Sequence, residues 1–425
     1  MVNMSSTTTT EVGPTSTVQV RFVPSDEAQF TVTDTPIAVP ETLRRYALSE
    51  IVNHLLGNEK PIPFDFLVDG MLLRTSVAKY LESHALSRET IVKLEFFMAT
   101  PAPEASTELP HDDWVGALDT NSNGLILTGS YDGVVSLWSG TGDRVATAAE
   151  HTGGIKRLET ISDDMFVTAS LDHSLRVWGG VREESLTTKL LLSGHTGSVE
   201  GVAVSSNGQT CVSGSFDKTL RVWSLAPAGS LEGEEEQSGK KKRKTNVSAQ
   251  RTTTTTREAS LVLEGHTNGV TSVVYGPQNT VYSASWDHSI RQWDINSGRV
   301  VHTLVGGKVI QSIAYSESAN LIVSAGADKA VRLWDPRESA TTMIKRTLVS
   351  HTGMTSSVAW SPTDGNQFVS AAYDGDIKIW DARSSIPLHT VKAIEGKVLC
   401  VAWPSKEQIL CGGDDNRVHI HSVGK

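Results

Sequence analysis

Serine or threonine, histidine and aspartate, the three groups of a hydrolytic triad, recur together along most of this chain. Ser213 with His195 and Asp217 is one set; Thr168 with His151 and Asp172, Ser283 with His266 and Asp287, and Ser370 with His351 and Asp374 are three more. A single set could run nucleophilic chemistry, the imidazole taking the hydroxyl proton while the carboxylate orients the ring. Repetition argues for another purpose. An enzyme needs one active site, whereas here each set is followed by a tryptophan six residues after its aspartate: Trp178, Trp223, Trp293 and Trp380. A buried indole N–H and a buried imidazole both need partners, and the set supplies them once per repeat. The sequence offers no nucleotide-binding glycine loop, no Cys/His metal cluster and no unrepeated constellation, so it reads as non-enzymatic, without a cofactor or small-molecule substrate.

The elements that position these residues follow from the spacing. Asp132 with Trp138 and Asp328 with Trp334 continue the series, and Asp415 with His421 closes it in degenerate form. Successive tryptophans lie 40, 45, 70, 41 and 46 residues apart, and His421 follows Trp380 by 41. Four short strands and their turns occupy such an interval in a propeller blade. Between the marker residues, apolar and polar positions alternate and Gly, Asn and Asp break the runs, as in strands and turns. The pattern resembles the WD-repeat family. The resemblance implies an aspartate in the tight turn between second and third strands, bonded by the histidine, with histidine and Ser/Thr leading on to the indole. Seven copies predict a closed seven-bladed ring. Its last copy lacks an outer strand, and residues 98–107 are the natural donor of one, sparing the ring an open edge. Copies five and seven carry Gly306-Gly307 and Glu395-Gly396 in place of the histidine, so those blades are expected to lean more on packing.

The formal net charge of −10 argues against a general nucleic-acid binder and for protein partners. Three cysteines without a close-spaced pair fit a reducing compartment. No apolar run reaches the roughly 20 residues that span a bilayer, and the Ser/Thr-rich start has no signal-peptide core, so a soluble intracellular protein without a membrane partner is expected. By composition, residues 1–15 and an insertion over 226–259 in the third blade are disordered. The insertion explains the interval of 70 and contains Lys240, Lys241, Lys242, Arg243 and Lys244. Five consecutive cations on a loop suit a nuclear-import signal, a merely solvated loop, or nonspecific RNA contact.

Residues 16–97 have a different grammar, separated from the propeller of 111–425 by a linker or closing strand over 98–110. Val18–Val23 alternates as a strand, with Phe30–Thr33 as its hairpin partner. Glu41–Leu56 suits an amphipathic helix between Pro40 and Gly57. Two strands flank Asp69-Gly70, a short helix covers Ser76–His84, and Thr90–Phe96 is the last strand. This is the order of a ubiquitin-like β-grasp, so the whole is mainly β, with a small α+β domain in front of the propeller. The wording of Asp34-Thr35-Pro36, of Leu43–Leu56 with its Leu43-Arg44-Arg45-Tyr46 start, and of Pro63–Gly70 resembles the WD-repeat subunit of the PeBoW complex, a factor in large-ribosomal-subunit assembly.

That resemblance implies a nuclear, nucleolar and nucleoplasmic adaptor in pre-rRNA processing (27S to 25S/28S and 5.8S). Its propeller would bind the second WD-repeat subunit, alongside the BRCT-containing subunit, on the pre-60S particle. Its small domain would be bound by the adhesion site of the AAA ATPase midasin, which releases it. Leu86-Ser87-Arg88-Glu89 matches the family's Leu-Ser-x-Glu segment, making Glu89 the in-trans ligand of midasin's Mg²⁺; by charge and position alone it is a solvated glutamate. Tyr131, Phe216, Trp286 and Tyr373 each precede a turn aspartate and are either partner anchors on one face or ordinary blade caps. Two rivals remain. Trp334-Asp335-Pro336-Arg337 and Trp380-Asp381-Ala382-Arg383 resemble motifs of cullin-RING ubiquitin-ligase substrate receptors, and a Notchless-type assembly factor pairs the same kinds of domain with eight expected repeats.

Overall fold

The computed structural model describes residues 16–25, 29–226, 255–338 and 344–423, and the chain divides into two compact units, residues 1–101 and 102–425. In the first unit β1 (Thr17–Pro24) lies between β2 (Ile37–Pro40), antiparallel, and β5 (Val92–Met98), parallel; β5 also pairs antiparallel with β3 (Phe64–Val68), which turns back into β4 (Met71–Leu72). The alternation of β1 sends Val18, Val20 and Phe22 into one core with Phe64, Phe66, Leu94 and Phe96. Helix α1 (Arg45–Leu56) closes that core with Leu48 and Val52, and Gly57 ends it in the left-handed conformation (φ 68°) that glycine adopts without steric cost. Helix α2 (Val77–Ser83) starts on Ser76, whose Oγ accepts from the Lys79 N–H at 3.3 Å.

Two local expectations need correction. Phe30–Thr33 is not a strand; the partner of β1 is β2, four residues beyond it. Phe30 instead sets its ring edge-on to Phe64 at 5.4 Å and tilted to Phe96 at 6.1 Å, filling the core with a side chain where pairing was expected. Helix α1 begins at Arg45 rather than Glu41, because the chain first turns, Leu43 N–H donating to Pro40 C=O at 3.1 Å.

The second unit is a ring of seven sheets, antiparallel except for one added strand in blade two. Six take their four strands in chain order, from Val115–Thr120 on the inside of blade one to His389–Lys392 on the outside of blade six. Blade seven has three late strands (Val398–Ser405, Gln408–Gly413, Arg417–Val423) and takes its outer one from β6 (Pro103–Pro110), which runs antiparallel to Arg417–Val423. The donor therefore lies a few residues beyond the expected 98–107. Leu109 of β6 is buried with Val115, Cys400 and Val418, so the strand that completes the last blade also packs on the first. Trp178, Trp223, Trp293, Trp334 and Trp380 are fully buried between blades, Phe166 stacking on Trp178 at 6.0 Å.

Blade two has an extra strand. Thr255–Arg257 runs parallel to its outer strand Thr187–Ser193 before the chain enters Leu261–Glu264 of blade three. The far end of the segment expected to be disordered is thus sheet-bound, and Arg257 Nη1 donates to Ala226 C=O at 2.9 Å, tying the two stems together. The basic run Lys240–Lys244 and residues 1–15 lie outside the described residues.

Candidate functional site

The triad-like sets are assembled and sealed. In blade three His195 Nδ1 lies 2.7 Å from Asp217 Oδ2, His195 Nε2 lies 2.7 Å from Ser213 Oγ, and the Trp223 indole N–H donates to Ser213 Oγ at 2.9 Å. Blades two, four and six repeat this with His151, Asp172, Thr168 and Trp178, with His266, Asp287, Ser283 and Trp293, and with His351, Asp374, Ser370 and Trp380. A carboxylate facing Nδ1 fixes the proton there, so Nε2 accepts from the hydroxyl and the hydroxyl oxygen accepts from the indole. Every donor is used. The hydroxyl-bearing residues are 0% exposed, so these sets are closed to solvent.

The carboxylates cap their own turns as well. Asp172 accepts from the Thr152 N–H at 3.1 Å and the Ser174 N–H at 3.0 Å. Burial alone would raise their pKa values, but the histidine, hydroxyl and backbone donors outweigh it and hold Asp172, Asp217 and Asp287 below the usual carboxylate range, and Asp374 at about 2. Burial, partly offset by the aspartates, lowers the His195 and His351 imidazoles.

The blades without the upstream histidine do not simply fall back on packing. In blade five Arg332, four residues after the aspartate, donates Nη1 and Nη2 to the two oxygens of Asp328 at 3.0 and 2.5 Å. In blade seven the same position holds His419, its Nε2 2.6 Å from Asp415 Oδ2. Blade seven also replaces the hydroxyl–indole pair by the Cys411 thiol and His421 Nε2 at 3.6 Å, and burial pushes His421 down to about 4. In blade one His111 reaches Thr128 at 2.8 Å but turns Nδ1 to the Leu109 carbonyl, leaving Asp132 to the Ser130 hydroxyl and the Val134 N–H.

The four aromatics that precede turn aspartates converge. Tyr131, Phe216, Trp286 and Tyr373 line one cavity of about 600 Å³, together with the inner-strand residues Lys156, Arg157 and Glu200. Glycines make room for them: a Cβ at Gly154 would sit 3.1 Å from Tyr131 Cα, and one at Gly269 would sit 3.0 Å from the Phe216 ring. Phe216 meets Trp286 edge to face at 4.9 Å, and Trp286 and Tyr373 remain 38% and 37% exposed. Of the other pre-aspartate residues, Ala327 reaches the cavity, whereas Leu171 and Asp414 do not line it. Lys156 crosses between blades, its Nζ 2.8 Å from Tyr131 Oη and 3.6 Å from Glu200 Oε2, and it lies over the Tyr131 ring. Lys156 and Arg157 belong to this site but carry no motif, only the closed ring bringing them to it; the exposed Trp114 stands beside it, edge-on to Tyr131 at 5.8 Å.

Glu89 stands in an exposed turn between α2 and β5. Its N–H donates to Ser87 Oγ at 3.2 Å, Thr90 Oγ1 donates to Ser87 C=O at 3.0 Å, and Arg88 pairs with Glu41 at 3.6 Å. The carboxylate itself has no ion pair among the described residues. The two Trp-Asp-x-Arg arginines, by contrast, fold back on their own motifs. Arg337 binds both oxygens of Asp335 at 2.8 and 2.7 Å, and Arg383 those of Asp381 at 2.9 and 2.7 Å.

Comparison with known proteins gives a consistent picture. Residues 18–81 match the NLE (NUC135) domain family, and seven segments between 104 and 422 match the WD domain, G-beta repeat. The first matched segment, 104–139, begins with β6 of blade seven and continues through three strands of blade one, so the sequence repeat straddles two blades. The chain is 38% identical over 415 residues to a "Ribosome biogenesis protein WDR12 homolog" of Nematostella vectensis, covering 95% of this chain and 99% of the relative. It is 35% identical over 429 residues to the namesake of Oryza sativa subsp. japonica, covering 96% and 97%. A "Ribosome biogenesis protein YTM1" of Meyerozyma guilliermondii is 36% identical over 436 residues, covering 96% of each chain.

Proposed function

The chain belongs to the family of ribosome biogenesis proteins that includes the WDR12 homologs and YTM1, and on that premise we propose that it is a non-enzymatic adaptor of large-subunit assembly working in the nucleus and nucleolus. The observation that carries this reading is similarity that runs through both units, the small domain and the seven-bladed ring alike. An adaptor needs two faces, and the molecule has two candidates. One is the aromatic mouth of the propeller, where large rings half open to solvent are suited to anchor a protein partner. The partner in this reading is the second WD-repeat subunit of the PeBoW complex, with the BRCT-containing subunit, on the pre-60S particle during 27S processing.

The other face is the Glu89 turn. In this reading Glu89 reaches into the adhesion site of midasin and gives a carboxylate oxygen to the Mg²⁺ held there; this protein binds no metal of its own. Exposure, a turn held by Ser87 and Thr90, and an uncommitted carboxylate fit a hard, oxygen-seeking cation. Removal of the particle-bound complex by ATP-driven pulling on this domain would follow. Lys240–Lys244 serve as the import signal.

The test is a binding assay between the purified full chain and the adhesion domain of midasin with Mg²⁺. Glu89→Asp retracts the carboxylate by one methylene and is expected to weaken binding, while leaving the melting temperature unchanged. Equal affinity of wild type and variant would remove Glu89 from the assignment.

A further inference from the structure

The channel mouth carries a cation that no carboxylate pairs with directly among the described residues. Lys156 and Glu200 lie 3.6 Å apart and neutralise each other. Arg157, next to Lys156 on the inner strand of blade two, has no carboxylate within 4.0 Å among the described residues. It reaches across the channel, Nη2 donating to Ser312 Oγ of blade five at 2.7 Å. A guanidinium has five N–H donors, so this contact leaves most of its capacity unused. Burial pushes its pKa down, against the opposing pull of the more distant Glu159 and Glu200 carboxylates.

A ring of aromatics at a channel mouth would ordinarily suggest a cationic guest, since ring faces attract cations. Here those faces are already taken. Lys156 Nζ sits 5.1 Å from the centre of the Tyr131 ring, and Lys397 Nζ sits 5.5 Å from that of Tyr373. Phe216 meets Trp286 edge to face. An entering cation would meet two lysines and Arg157; an entering anion would meet a guanidinium with no carboxylate within 4.0 Å among the described residues.

We propose that the mouth receives an acidic side chain, aspartate or glutamate, carried between apolar neighbours on a loop of the protein partner, its carboxylate pairing with Arg157 while the neighbours pack on Trp286 and Tyr373. The proposal rests on the reading that this face binds protein, and adds the chemistry of what binds. A carboxylate matches the guanidinium fork with two parallel hydrogen bonds. In a mouth walled by rings, that pair is shielded from water and discriminates against neutral and cationic residues.

The test uses the full chain and a displayed library of random 12-residue peptides, with selected peptides resynthesised. Enriched sequences are expected to share an Asp or Glu between apolar residues. Changing that residue to its amide, which leaves the protein untouched, is expected to weaken binding by roughly tenfold or more. Arg157→Met, checked for unchanged melting, should lose the preference for acid over amide, and Arg157→Lys should restore part of it. Enrichment of basic or neutral peptides, or an acid preference that survives Arg157→Met, would overturn the proposal. Peptides that need Trp286 and Tyr373 but not Arg157 would reject the acidic guest while leaving the face intact. Peptides indifferent to all three residues would reject the face as well.

Discussion

Arg332 holds Asp328 with two guanidinium nitrogens, at 3.0 and 2.5 Å, in the blade where Gly306-Gly307 replaces the histidine that elsewhere binds the turn aspartate. The substitution is positional: the residue four after the aspartate lies across the same hairpin, and in blade seven it is His419 that reaches Asp415 from there. A turn carboxylate partly withdrawn from water needs a donor, and the neighbouring strand supplies it when the preceding loop does not. Arg332→Ala is therefore expected to destabilise the propeller by about 1–3 kcal/mol, read as a lower urea midpoint. Arg221→Ala in blade three, where His195 already serves Asp217, is expected to cost less. Equal losses would deny Arg332 this special role.

Ser213 is the junction of its network, bonded to both His195 Nε2 and the Trp223 indole. Ser213→Ala leaves a buried donor and a buried acceptor without partners and is expected to cost about 2–3 kcal/mol. Ser213→Thr, which copies Thr168 of blade two, is expected to cost less, since the hydroxyl is retained. Denaturant unfolding of the two variants checks both.

Acid should weaken the ring in two stages. His421 has a folded-state pKa lowered to about 4, so its neutral form is the folded one. Its contribution is complete above the unfolded value of about 6.5 and is lost as pH falls from there toward 4. Asp374, held at about 2, contributes above its unfolded value of about 3.9 and loses that contribution as pH falls further toward 2. Melting temperature against pH should therefore start to fall below about 6.5. His421→Leu is expected to make the part between about 6.5 and 4 shallower, the lowered His195 and His351 retaining the rest of it, and to leave the more acidic part in place.

β6 completes blade seven from the opposite end of the ring. Deleting residues 103–110 exposes the edge of Arg417–Val423 and uncovers the Leu109 contact with blade one, and is expected to lower the melting temperature and promote self-association. A deletion variant with unchanged melting would show that the ring does not depend on this clasp.

Much of this architecture is legible in the sequence because the Asp-to-Trp interval is set by strand length and turn geometry, which tertiary packing does not alter. The aromatic mouth is partly legible for the same reason: a residue before each turn aspartate must emerge on one face. What is not legible depends on contacts between distant segments. Phe30 alternates like a strand residue, yet its ring is drawn into the core between Phe64 and Phe96. Thr255–Arg257 looks like the end of a polar insertion, but blade two offers it an open edge. Arg332 looks like an ordinary strand arginine until the missing histidine makes it the nearest donor to Asp328. Arg157 and Lys156 have no motif, because only ring closure brings seven inner strands around one channel.

The central claim is that one molecule joins large-subunit precursors through its propeller and a motor through Glu89. The most direct measurement is affinity purification from nuclear extract with wild type, Glu89→Ala, and a Trp286→Ala/Tyr373→Ala double variant, read by mass spectrometry. Wild type is expected to recover a WD-repeat partner, large-subunit precursors and midasin. Glu89→Ala should keep the first two and lose midasin, and the double variant should lose the partner. Recovery of a cullin adaptor with no ribosomal precursors, from wild type, would contradict the account.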